Sequence, residues 1–334
     1  MLNASKNRHP VTARAAGLLL GFAADRYFAD PARFHPVAGF GTSAIALQRV
    51  SYSDSKVAGT VHVTVLLTGV GALGLVSESV ARRGGWLAHA GVMAAATWAV
   101  LGGTSLARTG HDMAVRLEES RRSGDLTDAR DLLPSLCGRD PSVLDEEGLT
   151  RAALESVAEN TSDATVGALL WGAVLGIPGL FVYRAANTLD AMIGYRSEKY
   201  RNFGWAAARF DDLVNLVPAR LTGVITAASA PLVGGSPRES LSAWRRDASA
   251  HPSPNAGVAE ATAAGALGIS LGGRTQYSYG VEMRPVLGNG PAPTPTDLRR
   301  ASRLSSIVQI GAAITSAAVA VAVGKFDFIR RSRN

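Results

Sequence analysis

Four stretches of this chain contain no Asp, Glu, Lys or Arg: Val57 to Val76, Trp86 to Ala107, Thr165 to Tyr183 and Leu304 to Gly324. Each matches the run of roughly 20 apolar residues with which an α-helix crosses the hydrocarbon core of a bilayer. Helices of a soluble core seldom run so far without a charge, because most keep one face in water. The pattern predicts an all-α polytopic integral membrane protein, a helical bundle with polar connecting segments. Leu221 to Pro237 and Ala256 to Leu271 are weaker candidates, which sets the expectation at about four to six spans. The second carries Glu260 and suits burial against protein. All the runs are rich in Ala, Gly, Ser and Thr, which favours close helix packing.

A chain of 334 residues that is 47% hydrophobic and 18% charged is not disordered. It is read as a single membrane-embedded domain, 1–334. The formal charge of +7 comes mostly from Arg scattered through the segments between apolar runs rather than gathered in a stripe, so no nucleic-acid partner is expected. Lys325, Arg330, Arg331 and Arg333 place the C-terminus in the cytoplasm by the positive-inside rule, together with a polar loop over residues 108–153. GNGPAPTPTD, residues 288–297, reads as a Pro-rich connector. KNRHPVTARAAGLLLGFAADRYF imitates a signal peptide but is followed by DPARFHPVAGFG, which has the look of a site, so it is expected to be retained. The lone Cys137 excludes an internal disulfide.

Four polar constellations interrupt the apolar runs. In ALESVAENTSDATVGALLW, Glu155, Glu159 and Asp163 recur every four residues, so on a helix they share a face and repel. A cation, a cationic substrate or Arg partners would remove that cost. A helix entry capped by Thr161 or Ser162 is the other reading. In the segment after Tyr183, Asn187 and Asp190 lie three apart, as do Asp212 and Asn215, beside Asp211. They offer the oxygen ligands Mg²⁺ prefers, and Tyr195, Arg196, Arg201 and Arg209 between them suit a phosphate. The third constellation places Asp30 and His35 in a Pro-shaped loop, where a lone His is more often a satisfied loop residue. The fourth is DASAHPSPNAGVAEATAAGALGISLGG, with His251, Asn255 placed to cap a helix, and Glu260 inside that helix.

The blocks ESVAENTSD, YRAANTLDAMIGYRSEKYRNFGWAAARFDDLVNLVPARLT, DP…HPV and AHPSPNAG…E…AGALGISLGG resemble the CobD/CbiB family, the membrane-bound adenosylcobinamide-phosphate synthases of cobalamin biosynthesis. The resemblance covers nearly the whole chain in the same order. Small positions depart from the family's pattern: Ala164 and Ala168 stand where a Gly and a Pro are common, and Ala29 where a Gly precedes Asp-Pro.

The resemblance implies a cell-membrane, multi-pass carbon–nitrogen ligase with its active face in the cytoplasm. It joins the free propionate of adenosylcobyric acid to (R)-1-aminopropan-2-ol or its O-phosphate. The corrinoid is substrate, not cofactor; ATP with Mg²⁺ is the implied activator, through an acyl phosphate. The implied surroundings are the lipid bilayer and other membrane enzymes of cobalamin assembly. On this expectation Asn187, Asp190, Asp211, Asp212 and Asn215 hold the metal, and Arg196, Arg201 and Arg209 neutralise phosphate. Glu155, Glu159 and Asp163 receive the ammonium group and take its proton. Asn160, Tyr195, Arg220, His251, Asn255, Glu260, Asp30 and His35 complete the substrate contacts. No G-x-x-x-x-G-K-[ST] pattern occurs, so the nucleotide site is of another class. Two other classes stand as alternatives: a CDP-alcohol phosphotransferase, only loosely echoed by FGWAAARFDD, and a non-enzymatic corrinoid-binding or transport protein. A transporter would place its ionisable groups singly within spans, whereas here they gather between apolar runs.

Overall fold

The computed structural model describes residues 2–30, 35–195, 197–277 and 280–331. The helices are α1 (Leu2–Phe28), α2 (Pro36–Ser51), α3 (Lys56–Arg83), α4 (Gly85–Val100), α5 (Gly103–Ser123), α6 (Thr127–Leu132), α7 (Glu146–Thr161), α8 (Gly167–Leu175) and α9 (Ile177–Ile193). There follow α10 (Trp205–Val214), α11 (Leu216–Ser229), α12 (Pro237–Asp247), α13 (Ala256–Leu267) and α14 (Pro295–Arg331). The all-α expectation holds, with one addition, an antiparallel hairpin of β1 (Leu271–Tyr277) and β2 (Gly280–Leu287). The chain divides into two compact units, one of residues 1–102, 164–215 and 312–334, the other of 103–163 and 216–311.

Among the described residues, four segments are long and apolar enough to cross a membrane: Lys56–Arg83, Gly85–Ser123, Leu216–Val233 and Pro295–Lys325. Three contain charge-free runs identified from the sequence, and the third confirms one of the weaker candidates. Two other apolar runs are not single long helices. Thr165 to Tyr183 is broken at Gly176, whose φ of 76° is left-handed backbone, and α9 folds back along α8 so that Gly172 meets Leu180. Ala256 to Leu271 yields only the 12-residue α13, about 18 Å long. Every residue of it is buried, and its Ala and Gly content lets neighbours approach on all sides.

The segment expected as a loop over 108–153 is largely helical, because α5 is amphipathic. Ala107, Gly110, Met113, Ala114 and Leu117 are buried on one face, while Arg108 and Asp112 on the other are exposed. The Pro-rich connector is shorter than its composition suggests, since α14 starts at Pro295. Thr294 and Asp297 exchange hydrogen bonds there as a capping box, with Pro at the first helical position.

The turn between α8 and α9 is held by charge. Arg14 of α1 donates to the carbonyls of Ala173 and Val174 at 3.2 and 3.1 Å, satisfying the end of α8. Glu78 of α3 accepts the Ile177 N–H at 3.0 Å, satisfying the start of α9. Each charge has the sign that its helix end favours. Arg82 at 2.7 Å and His89 at 3.0 Å complete the contacts of the Glu78 carboxylate. A Cβ on Gly176 would lie 2.8 Å from that carboxylate, so glycine is required there by space as well as by φ.

Candidate functional site

The first unit gathers polar groups around α9 and α10. Arg184 is the first charge after the apolar hairpin, and its Nη1 donates to Asn187 Oδ1 at 3.4 Å. A Cβ on Gly102 would lie 3.6 Å from Arg184 Nη2 and 3.8 Å from Asp30 Oδ2, so the guanidinium and Asp30 share that space. Asp30 Oδ1 is 3.8 Å from His35 Nε2, while His35 Nδ1 accepts the Val37 N–H and caps α2. Asp190, further along α9, is pushed up to about 6, first by burial and then by the facing carboxylate of Asp212. Two carboxylates set against each other in a half-buried place form an acidic pair of the kind a divalent cation relieves.

The expected metal set divides here. Asn215 is buried, its Oδ1 accepting from Tyr183 Oη at 2.7 Å and its Nδ2 donating to Asp211 at 3.0 Å. Asp211 and Asn215 are therefore a structural lock, supported by Trp171 of α8 donating to the Val214 carbonyl at 2.9 Å. Of the other three, Asn187 Oδ1 accepts from Arg184 at 3.4 Å, Asp212 has Arg209 at 3.6 Å, and Asp190 is half-buried with the Asp212 carboxylate raising its pKa. No group of three His, Cys, Asp or Glu residues able to hold a metal occurs among the described residues. Arg209 sits 3.6 Å from Asp212, and Tyr195 and Arg201 are exposed nearby in sequence. Arg196 lies outside the described residues.

The second unit has a different centre. Glu155 is buried and ion-paired to Arg139 and, at 3.3 Å, to Arg284 of β2; it also accepts the Gly272 N–H at 2.8 Å. That carboxylate is saturated and does not act as a free base. Glu260, fully buried on α13, is raised well above the usual carboxylate range by burial, then by Glu155 and Glu159. His251, 3.8 Å from Glu260, has its pKa lowered chiefly by burial and also by Arg284. Glu159 stands one turn beyond Glu155 and is half-buried. Asp163 belongs to the π-helical turn Ser162–Val166, where the four-residue period of α7 ends.

Thr161 and Ser162 cap nothing, since the chain stays helical through them and the Thr161 hydroxyl donates to the Val157 carbonyl. Asn160 Nδ2 donates to the Ser156 carbonyl. Asn255 is not the side-chain cap of α13: Ser253 Oγ accepts the Ala256 N–H, and Asn255 Oδ1 instead accepts from Arg220 at 2.7 Å.

Arg139, Arg184 and Arg284 were not singled out from the sequence. Arg184 had a signal, as the charge that ends an apolar run. Arg139 and Arg284 had none, being two arginines among many until the fold brings them to Glu155.

The family model "CobD/Cbib protein" matches residues 18–305. The chain belongs to the CobD/Cbib family. It is 56% identical over 301 residues to "Cobalamin biosynthesis protein CobD" of Mycobacterium tuberculosis (strain CDC 1551 / Oshkosh), covering 90% of this chain and 94% of the relative. It is 41% identical over 305 residues to the protein of that name from Chromobacterium violaceum, covering 90% and 95%. The Rhodobacter capsulatus protein of that name is 46% identical over 215 residues, covering 64% of this chain and 67% of the relative. No solved structure matches. The CobD/Cbib match spans both centres, so each is built from residues inside the family region.

Proposed function

We propose that this chain acts in cobalamin biosynthesis, forming the amide between the free propionate of adenosylcobyric acid and (R)-1-aminopropan-2-ol or its O-phosphate. Family membership supports the pathway. The observation that carries the chemistry is the Asp190–Asp212 pair, in which burial and then the Asp212 carboxylate raise the pKa of Asp190 to about 6.

A carboxylate does not condense with an ammonium ion in water, because an oxygen must first become a leaving group. Transfer of the ATP γ-phosphoryl to a propionate oxygen gives an acyl phosphate and ADP. The deprotonated amine then forms the C–N bond as phosphate leaves. Asp190 and Asp212, with the Asn187 carboxamide close by in sequence, would hold Mg²⁺, which would supply charge neutralisation for the nucleotide phosphates. Arg184 and the exposed Arg201 and Arg209 orient phosphate by paired hydrogen bonds. Within the second unit, Glu159, less enclosed than Glu155 or Glu260, is the acid able to accept a proton.

The membrane in question is the cell membrane, with the phosphate-binding end of the first unit facing the cytoplasm. Lys56 over Trp205 and Lys199 over Tyr52 and Tyr200 add to the basic character of that end.

Purified protein with adenosylcobyric acid, ATP, Mg²⁺ and either amine tests the reading by product mass. The amide from wild type and none from Asp212→Asn supports it. Normal corrinoid binding with no product from either amine would hand the lead to a binding or transport role.

A further inference from the structure

The end of α3 away from Asp190 carries a second feature, independent of the reaction. A cavity of 480 Å³ opens there, lined by Leu75, Ser79, Arg82, Arg83, Leu175 and Pro178, with Glu78 at its inner side. Three guanidiniums, those of Arg14, Arg82 and Arg83, stand in this neighbourhood against the single carboxylate of Glu78. That carboxylate is already committed to Arg14, Arg82, His89 and the Ile177 N–H. Arg83 is exposed and has no ion-pair partner among the described residues. Net positive charge is left facing the cavity.

Further down α3 and on the α8–α9 hairpin the lining is apolar and outward-facing, Leu75 being 62% and Leu175 52% exposed. The depth is that of a headgroup. With 28 residues α3 is about 42 Å long, more than the roughly 30 Å hydrocarbon core, so its terminal arginines reach the interface. Trp86, just beyond them, is anchored to Thr12 at 3.0 Å, a residue type favoured at that level. Leu75 lies about 12 Å along the helix from Arg83, toward the hydrocarbon.

We propose that this groove binds an anionic phospholipid of the bilayer. Its phosphate lies against Arg83 and the outer edge of Arg82, with the Ser79 hydroxyl donating, and the first methylenes run over Leu75, Leu175 and Pro178. A zwitterionic lipid fits less well, because its ammonium group finds no available acid: Glu78 is buried and satisfied. A soluble phosphate compound would leave the apolar wall unused. The bound lipid braces the tip of the α8–α9 hairpin.

Titration of the detergent-purified full chain with phosphatidylglycerol and with phosphatidylcholine, read as lipid adducts by native mass spectrometry, tests this. Wild type is expected to retain phosphatidylglycerol preferentially. Arg83→Ala should reduce that preference about fivefold, the contribution of one interfacial arginine. Arg245→Ala, an exposed arginine of α12, should leave it unchanged and so controls for bulk charge. Arg83 is exposed, so its replacement leaves the packing intact; Arg83→Glu should remove the preference altogether. Equal retention of the two lipids, an unchanged preference in Arg83→Glu, or complete displacement of phosphatidylglycerol by inorganic phosphate would each overturn the proposal, the last marking a site for soluble anions.

Discussion

Glu155 and Asp190 look alike in the sequence, each an acid in a helical segment with another acid or amide three or four residues away. Their surroundings in the fold are opposite. Glu155 is 2% exposed and meets two guanidiniums and a backbone N–H, so its charge is fully answered. Asp190 is half-buried, and its pKa is raised first by burial and then by the carboxylate of Asp212, whose own partner Arg209 stands at 3.6 Å. The two acids differ chiefly in the charges set against them. A buried acid whose charge is matched holds the fold; a pair of acids left facing each other costs stability, and its use lies in something that binds between them.

The largest effect expected from this contrast is at Glu155. Glu155→Ala strands Arg139 and Arg284 in a dry setting, which should destabilise the protein by about 3–5 kcal/mol, seen as a large fall in its unfolding midpoint in detergent. A mild fall accompanied by complete loss of product would break the comparison and return Glu155 to the reaction. Asp190→Asn should act in the other direction on stability. It removes the repulsion with Asp212 and should raise the midpoint of the metal-free protein, while lowering turnover by about 10²–10³-fold if charge neutralisation at the phosphates depends on it. A variant both less stable and inactive would make Asp190 another structural acid.

The pH dependence sharpens the same point. The pKa of Asp190 in the fold, about 6, is above that of a free carboxylate. The stability contributed by its protonated form is therefore full below the ordinary carboxylate range and is lost as the pH rises through about 6. Metal-free protein should thus gain stability on acidification from pH 7 to 5, measured by thermal unfolding across that range. Mg²⁺ competes with the same proton, so its apparent affinity should fall over the same interval. Asp190→Asn should flatten both curves.

Much of the scaffold was legible because uncharged runs of span length have few other uses. Val57 to Val76, Trp86 to Ala107 and Leu304 to Gly324 all fall in candidate spans. Thr165 to Tyr183 misled for a physical reason. Its break at Gly176 is stabilised by Arg14 and Glu78, which are remote in sequence, and nothing local shows that a charged clamp waits for the turn. At the site, Asp190 and Asp212 could be paired on paper because a short excursion joins α9 to α10. The Arg139–Glu155–Arg284 centre could not, since its members come from a loop, a helix and a strand that the sequence did not announce. Asn255 misled in the opposite way. Its type and place said cap, but Ser253 took that role and left the amide to Arg220.

The smallest predicted effect concerns Ala29, which tests whether the first loop is shaped for Asp30 at a cost. Ala29 ends α1 with its N–H donating to the Asp25 carbonyl, and its φ of 55° is left-handed, the conformation that favours glycine at a helix C-terminus. A glycine at this position would carry no such strain. Left-handed backbone costs an alanine roughly 1–2 kcal/mol, part of which a glycine returns as entropy of the unfolded chain. Ala29→Gly should therefore stabilise the protein by about 0.5–1 kcal/mol, read from the unfolding midpoint. Turnover should not change, because the Ala29 carbonyl that accepts from Trp98 at 3.0 Å and the Asp30 carboxylate beside Arg184 stay where they are. Lower turnover in a more stable protein would mean that the strain itself positions Asp30, adding a third acid to the first unit's centre and weakening the claim that the Asp190–Asp212 pair alone sets it apart from Glu155.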